Sequence, residues 1–405
     1  MAWRWILPAL FIAGCTESGE PASGEPPKAK PETTAAAPDK PVAAKPKEAF
    51  PRRRAKRTEL EDTTRNLKLL VKKGVTENAN PWAMAHGIVG FGPELKAADG
   101  RLAIDALIRD YLREEKLGSR TRWYFPPRTS KGLPLEPHAN LVVKTLVVAG
   151  VPLDRSFETR SGQRVTLGEL LDSAEADFQE PASAHGWADQ AWTAEAILAA
   201  RALDADLELK SWQTTPGRLG AKATEALVRL QAFLDDAMEK GRPDLVEKRK
   251  QDIYAHTCGG LHFVQTVARA GSLMPDLADK ARAQLERVRF RFSAERSIYQ
   301  TLLRDHPEYR RRLLVQEMKF YGHVLETFGL AAEWGLIQPD DELRTEMQEV
   351  AGDLVDTVRE LEESYGQQDA IRQKAPQVYY DLIGDGCHAI RGLRLGLKHF
   401  YEAEA

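Results

Sequence analysis

A cysteine and a histidine lie four residues apart in the segment YAHTCGGLHF, residues 254–263. If this segment is helical, Cys258 and His262 share one face of the helix. A thiolate and an imidazole at that spacing can chelate a transition metal. The same two side chains could instead fill the crowded start of a buried helix, so the segment indicates either a metal site or a packed helix start.

Histidines recur at one position of a repeated pattern. The motif Ala-x-Ala-His-Gly occurs twice, at His86 and at His185, and the segment around His256 is similar. Six histidines fall in or near the first turns of successive apolar segments: His86, His138, His185, His256, His323 and His388. We expect these imidazoles to converge on one functional site. Capping or packing of individual helix starts is the alternative.

The elements that position these histidines are helices of two kinds. Amphipathic helices with one charged face are expected near 58–73 and 98–117, from Thr166 onward, and near 219–240, 276–303 and 340–365. Between them come segments that are apolar on nearly every side, such as ANLVVKTLVVAGV at 139–151. Strands are nearly absent, with one possible hairpin at 157–167. Capping boxes at Thr58–Glu61 and Thr166–Glu169 predict two of the helix starts.

Six outer–inner pairs of helices predict an all-α fold for residues 58–405. We expect an (α/α)6 toroid, in which six inner helices surround an axis and six outer helices cover them. An open superhelix of helix pairs is the alternative. In a closed toroid, the starts of the inner helices line one mouth of the ring.

The cysteine–histidine pattern resembles that of the lanthionine synthetase cyclases, which are α/α toroids with a zinc ion at the starts of inner helices. Cys258 lies in TCGG, Cys387 and His388 lie in GCHAIRG, and His86 lies in AMAHG upstream. The resemblance implies that Cys258, Cys387 and His388 bind zinc and that His86 is the upstream histidine of that family. With His262 added from its spacing to Cys258, these are the candidate metal ligands.

The cysteines leave other chemistry open. The chain has three cysteines, Cys15, Cys258 and Cys387. The last two could form a disulfide, bind a metal or remain buried thiols.

Acidic and aromatic residues accompany the histidines. We take His86, His185, Asp189 and Asp385 as candidate catalytic residues. Two opposed carboxylates beside tryptophans could cleave a glycan, whereas histidine and tyrosine together could serve a polysaccharide lyase. Acids at helix starts also act simply as caps.

The N-terminal residues resemble a targeting signal. Arg4, an apolar stretch and the sequence Ile-Ala-Gly-Cys at 12–15 resemble the signal peptide and lipobox of bacterial lipoproteins. The resemblance implies cleavage after residue 14 and lipid attachment to Cys15. Because Thr16 rather than Asp follows, it also implies the outer membrane, facing the periplasm or the cell surface.

Residues 15–57 then form a proline-, alanine-, lysine- and glutamate-rich tether that is expected to be disordered. It ends in RRRAKR at 52–57. We expect this basic segment to be a solvated hinge or to contact anionic lipid or cell-wall polymer.

The sequence thus predicts a lipid-anchored envelope protein with a histidine- and cysteine-lined site. A net charge of −3 argues against nucleic-acid binding. The site would suit a metal-dependent or polymer-acting enzyme with a small-molecule, peptide or glycan ligand. The alternative is a non-catalytic, ligand- or partner-binding lipoprotein whose histidines and cysteines are structural.

Overall fold

The computed structural model describes residues 52–204, 215–249 and 251–402, and these residues are mostly helical. The helices are α1 (Arg57–Thr76), α2 (Pro81–Phe91), α3 (Ala103–Tyr111), α4 (Leu141–Val148), α5 (Leu167–Ala176), α6 (Ala184–Asp189), α7 (Ala191–Leu203), α8 (Pro216–Gln231), α9 (Asp235–Glu239), α10 (Leu261–Leu273), α11 (Pro275–Asp305), α12 (Arg310–Glu333), α13 (Asp341–Gly366), α14 (Gln368–Lys374) and α15 (Pro376–His399). Two antiparallel hairpins pair β1 (Arg113–Leu117) with β2 (Arg120–Tyr124) and β3 (Ser156–Glu158) with β4 (Arg164–Thr166). Within this described part, no helix combines the length and the apolar composition needed to cross a bilayer.

Six helices form the centre of the packing, and we call them the buried helices: α2, α4, α7, α10, α12 and α15. Each contacts the next in this order, and α15 contacts α2, so their contacts form a closed series. The amphipathic helices α1, α5, α8, α11 and α13 each contact two consecutive buried helices. Apolar stripes on the amphipathic helices are buried by this arrangement, while their charged faces remain toward solvent.

Glycines allow two of the buried helices to pack unusually closely. A Cβ atom on Gly322 of α12 would lie 3.0 Å from the Cα of Ala389 on α15. A Cβ atom on Gly392 would lie 2.5 Å from the carbonyl oxygen of Gly322. The two backbones can therefore approach only because both positions lack a side chain. The residues that flank this contact are His323 and His388.

The expected helix at 98–117 is wrong in its second half. Helix α3 ends at Tyr111, and residues 113–117 form strand β1, which pairs with β2 in the register Arg113 to Tyr124. Gly118 has a φ of 62° and belongs to the turn between these strands. A glycine that was interpreted as a helix stop is instead the turn residue of a hairpin. The hairpin expected at 157–167 is confirmed as β3 and β4.

One of the two capping boxes is confirmed. The backbone N–H of Thr166 donates to Glu169 Oε2 at 2.7 Å, and the N–H of Glu169 donates to Thr166 Oγ1 at 3.2 Å. The other is wrong in register, because α1 begins at Arg57 and Glu59 accepts the backbone N–H of Lys56 at 2.8 Å.

The predicted signal peptide, Cys15 and most of the predicted tether lie outside the described residues. The last residues of the expected tether pack against α13. Arg53 bonds to Asp356 and Glu59, and the backbone N–H of Ala55 donates to the carbonyl of Gln348 at 3.1 Å. In the structure, residues 52–57 are therefore part of the helical assembly rather than a solvated hinge.

A buried glutamate supports the start of α4. Glu136 Oε1 accepts the backbone N–H of Val142 at 2.9 Å and so satisfies a donor in the first turn of the helix. Burial raises the pKa of Glu136 to about 8, because loss of hydration outweighs the bonds from the backbone N–H groups of Val142 and Asn140.

This raised pKa makes stability depend on pH. The folded state holds a proton on Glu136 that the unfolded chain releases near its ordinary pKa. The free energy of unfolding should therefore fall between about pH 4.5 and pH 8, by up to about 1.4 kcal/mol per pH unit from this group. Glu136→Gln should remove that share of the slope in urea unfolding measured from pH 5 to pH 8. Asp62→Asn, at an exposed surface position, is the control. An unchanged slope in Glu136→Gln would contradict the assignment.

Candidate functional site

Three buried histidines from three different helices meet at the centre of the protein, and we call them the histidine cluster: His262 of α10, His323 of α12 and His388 of α15. The ring centroids of His323 and His388 are 4.2 Å apart. The His262 ring lies 4.9 Å from that of His323 and 5.1 Å from that of His388. The close packing of α12 and α15 thus places His323 beside His388, and α10 contributes the third ring.

Further aromatic rings extend the cluster on both sides. Trp192 lies 4.9 Å from His262 and stacks on His138 at 3.9 Å. On the other side, His86 lies 5.5 Å from His388, and Trp82 lies 3.9 Å from His86. These rings border a cavity of about 20 Å³, which is room for one water molecule or ion.

His323 is fixed in the tautomer that a metal ligand needs. Its Nδ1 lies 2.7 Å from the backbone carbonyl oxygen of Lys319, and since a carbonyl can only accept, Nδ1 carries the proton. Its Nε2 is then an unprotonated acceptor, and it is buried with no hydrogen-bond partner. Burial, aided by the neighbouring His388, lowers the pKa of His323 to about 3. The imidazole therefore stays neutral, and its lone pair is available.

His262 also has a buried ring nitrogen without a hydrogen-bond partner. Its Nδ1 is buried without a hydrogen-bond partner. Burial first, and then the neighbouring His323, lower the pKa of His262 well below its ordinary value. Buried polar atoms in folded proteins are nearly always satisfied, so these two imidazole nitrogens are available to a bound metal ion or water molecule.

His388 is held by a buried carboxylate. Its Nδ1 donates to Glu326 Oε2 at 2.7 Å, and Arg391 donates to the other oxygen of Glu326 at 3.0 Å. Burial alone would raise the pKa of Glu326, but His388 and Arg391 together hold it well below its usual range. Glu326 therefore remains ionised and fixes the orientation of the His388 ring.

Cys258 lies on a tight turn just before α10. Three consecutive residues are left-handed, with φ values of 54° at Cys258, 59° at Gly259 and 71° at Gly260. The fully buried Arg291 donates to the carbonyl oxygen of Gly259 at 2.9 Å and pairs with Glu295. A non-glycine residue in this conformation costs free energy, so the surrounding structure must impose it. The turn thereby brings the Cys258 side chain to the edge of the cavity.

Two groups of side chains in the described residues could hold a metal ion. In each group, one ligand atom per residue lies within 4.8 Å of the others. The first group is Cys258, His262 and His323, and the second is His323, Glu326 and His388. In the second group both oxygens of Glu326 are already bonded, to His388 and Arg391. The first group is therefore the better donor set, and one sulfur with two imidazoles suits zinc.

The structure brings some of the expected metal ligands together and separates one. Cys258 and His262 belong to the first group, and His388 adjoins it. Cys387 is fully buried elsewhere, where its Cβ would lie 3.2 Å from a Cβ atom added to Gly90. No disulfide joins Cys258 and Cys387.

Two of the four candidate catalytic residues line the cavity, and the other two lie away from it. His86 and Asp385 line the cavity, and Asp385 lies 3.3 Å from the ammonium group of Lys319. His185 and Asp189 are exposed and do not line it. They join His256 instead, with His185 Nδ1 2.9 Å from His256 Nε2 and His256 Nδ1 3.2 Å from Asp189 Oδ1.

Sequence reasoning missed the residues that support the cluster. Glu326 follows His323 by three positions, and Arg391 follows His388 by three positions. Side chains three apart share a helix face, so the spacing of these charged residues from the buried histidines could have indicated that they support the cluster. Lys144, which also lines the cavity, is a lone charge in the apolar segment LVVKTLVV.

Comparison of the chain with protein-family models, with curated proteins and with solved structures finds no match.

The turn that carries Cys258 provides a test of the site's construction. A Cβ atom on Gly260 would lie 2.2 Å from Ile253 Cδ1, and the backbone is left-handed. Gly260→Ala should therefore lower the free energy of unfolding by about 2–4 kcal/mol. Gly217→Ala in α8, where no atom lies within 4 Å of the added Cβ, is the matched control. Equal stability of the two variants in urea unfolding would contradict the strained turn.

Proposed function

We propose that this protein is a lipid-anchored, metal-dependent enzyme of the bacterial cell envelope, built as an (α/α)6 toroid with its active site at the centre of the ring. The closed series of contacts among the six buried helices supports the toroid. Amphipathic helices that bridge neighbouring buried helices support it further, because they correspond to the outer layer of such a ring.

The convergence of possible metal ligands is the observation that carries the proposal. Cys258, His262 and His323 offer one sulfur and two neutral imidazoles whose ligand atoms converge. The Nε2 of His323 and the Nδ1 of His262 are buried without a hydrogen-bond partner, which supports such a site. We propose zinc, because this combination of soft sulfur and imidazole ligands is typical of it.

Cys258, His262 and His323 would supply three protein ligands, which is the number typical of catalytic zinc, where a water or substrate atom takes the fourth position. When bound, zinc supplies a Lewis acid and lowers the pKa of a coordinated water. His388, oriented by Glu326, is in position to accept a proton there, and His86 lies on its other side.

The reaction class that fits this arrangement is hydrolysis at a carbonyl or phosphoryl group. A cavity of about 20 Å³ admits only the reacting end of a ligand. A small molecule, or the end of a peptide or glycan, therefore suits the site better than the middle of a polymer.

The cellular setting rests on the sequence of the N-terminal segment. The lipobox ending at Cys15 supports lipid anchoring, and Thr16 supports the outer membrane, with the domain facing the periplasm or the cell surface. The tether would then let the domain reach ligands some distance from the bilayer.

One observation favours a second candidate function. The His388 ring lies only 4.2 Å from His323 and 5.1 Å from His262, so a small rotation could make it a fourth ligand. A site closed by Cys258 and three histidines would be structural, and the protein would be a non-catalytic binding lipoprotein.

Metal analysis of the full chain and two histidine variants tests the proposal. Protein purified in detergent without chelators or an affinity tag should contain about one zinc ion per chain by elemental mass spectrometry. His323→Ala should lose the metal while circular dichroism shows an intact helical fold. His306→Ala should retain it, since His306 lies outside the cluster and faces Glu308.

His388→Ala separates the two candidate functions. The zinc-loaded unmodified chain should hydrolyse 4-nitrophenyl acetate; retention of zinc in the variant with loss of this hydrolysis supports the enzyme. Loss of zinc supports the closed structural site. Absence of metal from the unmodified chain after incubation with zinc would overturn both.

A further inference from the structure

Lys144 is a charged residue in an otherwise apolar setting. It lies in α4, where the side chains of Leu141, Val142 and Val143 are buried. Its own exposure is only 5%, yet it lines the cavity beside the histidine cluster together with Thr145. An isolated buried ammonium group is costly, so a buried lysine either pairs with a counter-charge or gives up its proton.

The described protein residues do not supply that counter-charge in contact. The Lys144 side chain forms no hydrogen bond and no ion pair with any described residue. Two carboxylates are near enough to attract it, Glu195 and Glu326. Both have other partners: Glu195 lies 3.6 Å from Arg269, and Glu326 is held by His388 and Arg391.

The carboxylates that attract Lys144 are therefore already engaged by other cations, and Arg269 and Arg391 oppose its charge. The other carboxylate that lines the cavity, Asp385, lies 3.3 Å from the ammonium group of Lys319. Burial lowers the pKa of Lys144, and the attraction of Glu195 and Glu326 only partly opposes this. A divalent ion held by the Cys258 thiolate, His262 and His323 would add a net positive charge near the cavity that Lys144 lines.

We propose that Lys144 binds the anionic group of the ligand, a carboxylate or a phosphate, at the cavity beside the metal, where the space admits one oxygen of that group. The position of the anion beside a metal rests on the proposed function, whereas anion binding by Lys144 does not. The Lys144 ammonium donates hydrogen bonds to the anion, which supplies the missing counter-charge. The rings of Trp192 and His138 on one side and of Trp82 and His86 on the other confine the group between flat walls. The ligand class is therefore a small carboxylate or phosphate compound, or a polymer end that carries such a group.

Anion binding to the full chain in detergent tests this inference. Isothermal titration calorimetry with sodium acetate and with sodium phosphate is carried out on the zinc-loaded and the metal-free protein. The acetate and phosphate arms distinguish the two anion types. A charged hydrogen bond of this kind should make Lys144→Met bind the preferred anion roughly 10–100-fold more weakly.

Matched variants make the result specific. Lys131→Met removes the same charge from an exposed position and should bind the anion as the unmodified chain does. Lys144→Gln, which keeps a polar side chain, replaces Lys144→Met if the latter loses its helical circular dichroism. Undiminished anion binding in the Lys144 variant, or no binding of either anion by the unmodified chain, overturns the inference.

The two proposals fail separately. Failure to take up zinc while Lys144-dependent anion binding persists in the metal-free protein removes the metal enzyme and supports the anion site. Zinc uptake without Lys144-dependent anion binding does the reverse.

Discussion

The centre of this protein depends on the interaction of the ionised Glu326 side chain with His388 and Arg391. The Glu326 side chain is completely buried, and it remains a carboxylate only because His388 and Arg391 each bond to one of its oxygens. Loss of one partner would leave a buried charge uncompensated, at a cost of about 3–5 kcal/mol. In return, the carboxylate fixes the tautomer and the angle of His388 and thereby one wall of the histidine cluster.

Backbone packing makes this arrangement possible. Gly322 and Gly392 let α12 and α15 approach until backbone meets backbone, and the residues beside the contact are then His323 and His388. A larger side chain at either glycine would separate the helices and draw the two imidazoles apart. On the opposite side, Arg291 secures the left-handed turn that carries Cys258. The site thus depends on two local features: a close helix contact, and a turn anchored by a buried cation.

Much of the helical layout could be predicted from the sequence, because apolar and amphipathic segments alternate and their periods differ. The phase of the histidines also carried information, since His86, His138 and His388 line one cavity and His323 packs on His388, whereas His185 and His256 bond to each other away from it. The ligand set was harder to predict. Adjacent residues on a helix point about 100° apart. Cys387 therefore faces Gly90 of α2, while His388 faces the cluster.

Other errors came from assuming a helix where the backbone turns. Cys258 and His262 were placed on one helix face, yet α10 begins only at Leu261 and a left-handed turn brings the sulfur into position. Gly118 could end a helix or form a hairpin turn, and local sequence does not distinguish the two. Lys144 and Glu326 lie near charged groups of other helices, and no linear pattern shows these neighbours.

X-ray absorption spectroscopy at the zinc edge tests the central claim most directly. The full chain, loaded with zinc, should show one sulfur ligand at about 2.3 Å together with nitrogen ligands at about 2.0–2.1 Å. That shell matches Cys258 with the imidazoles of His262 and His323. A shell of oxygen and nitrogen without sulfur, or failure of the chain to hold zinc, would contradict the account of the site.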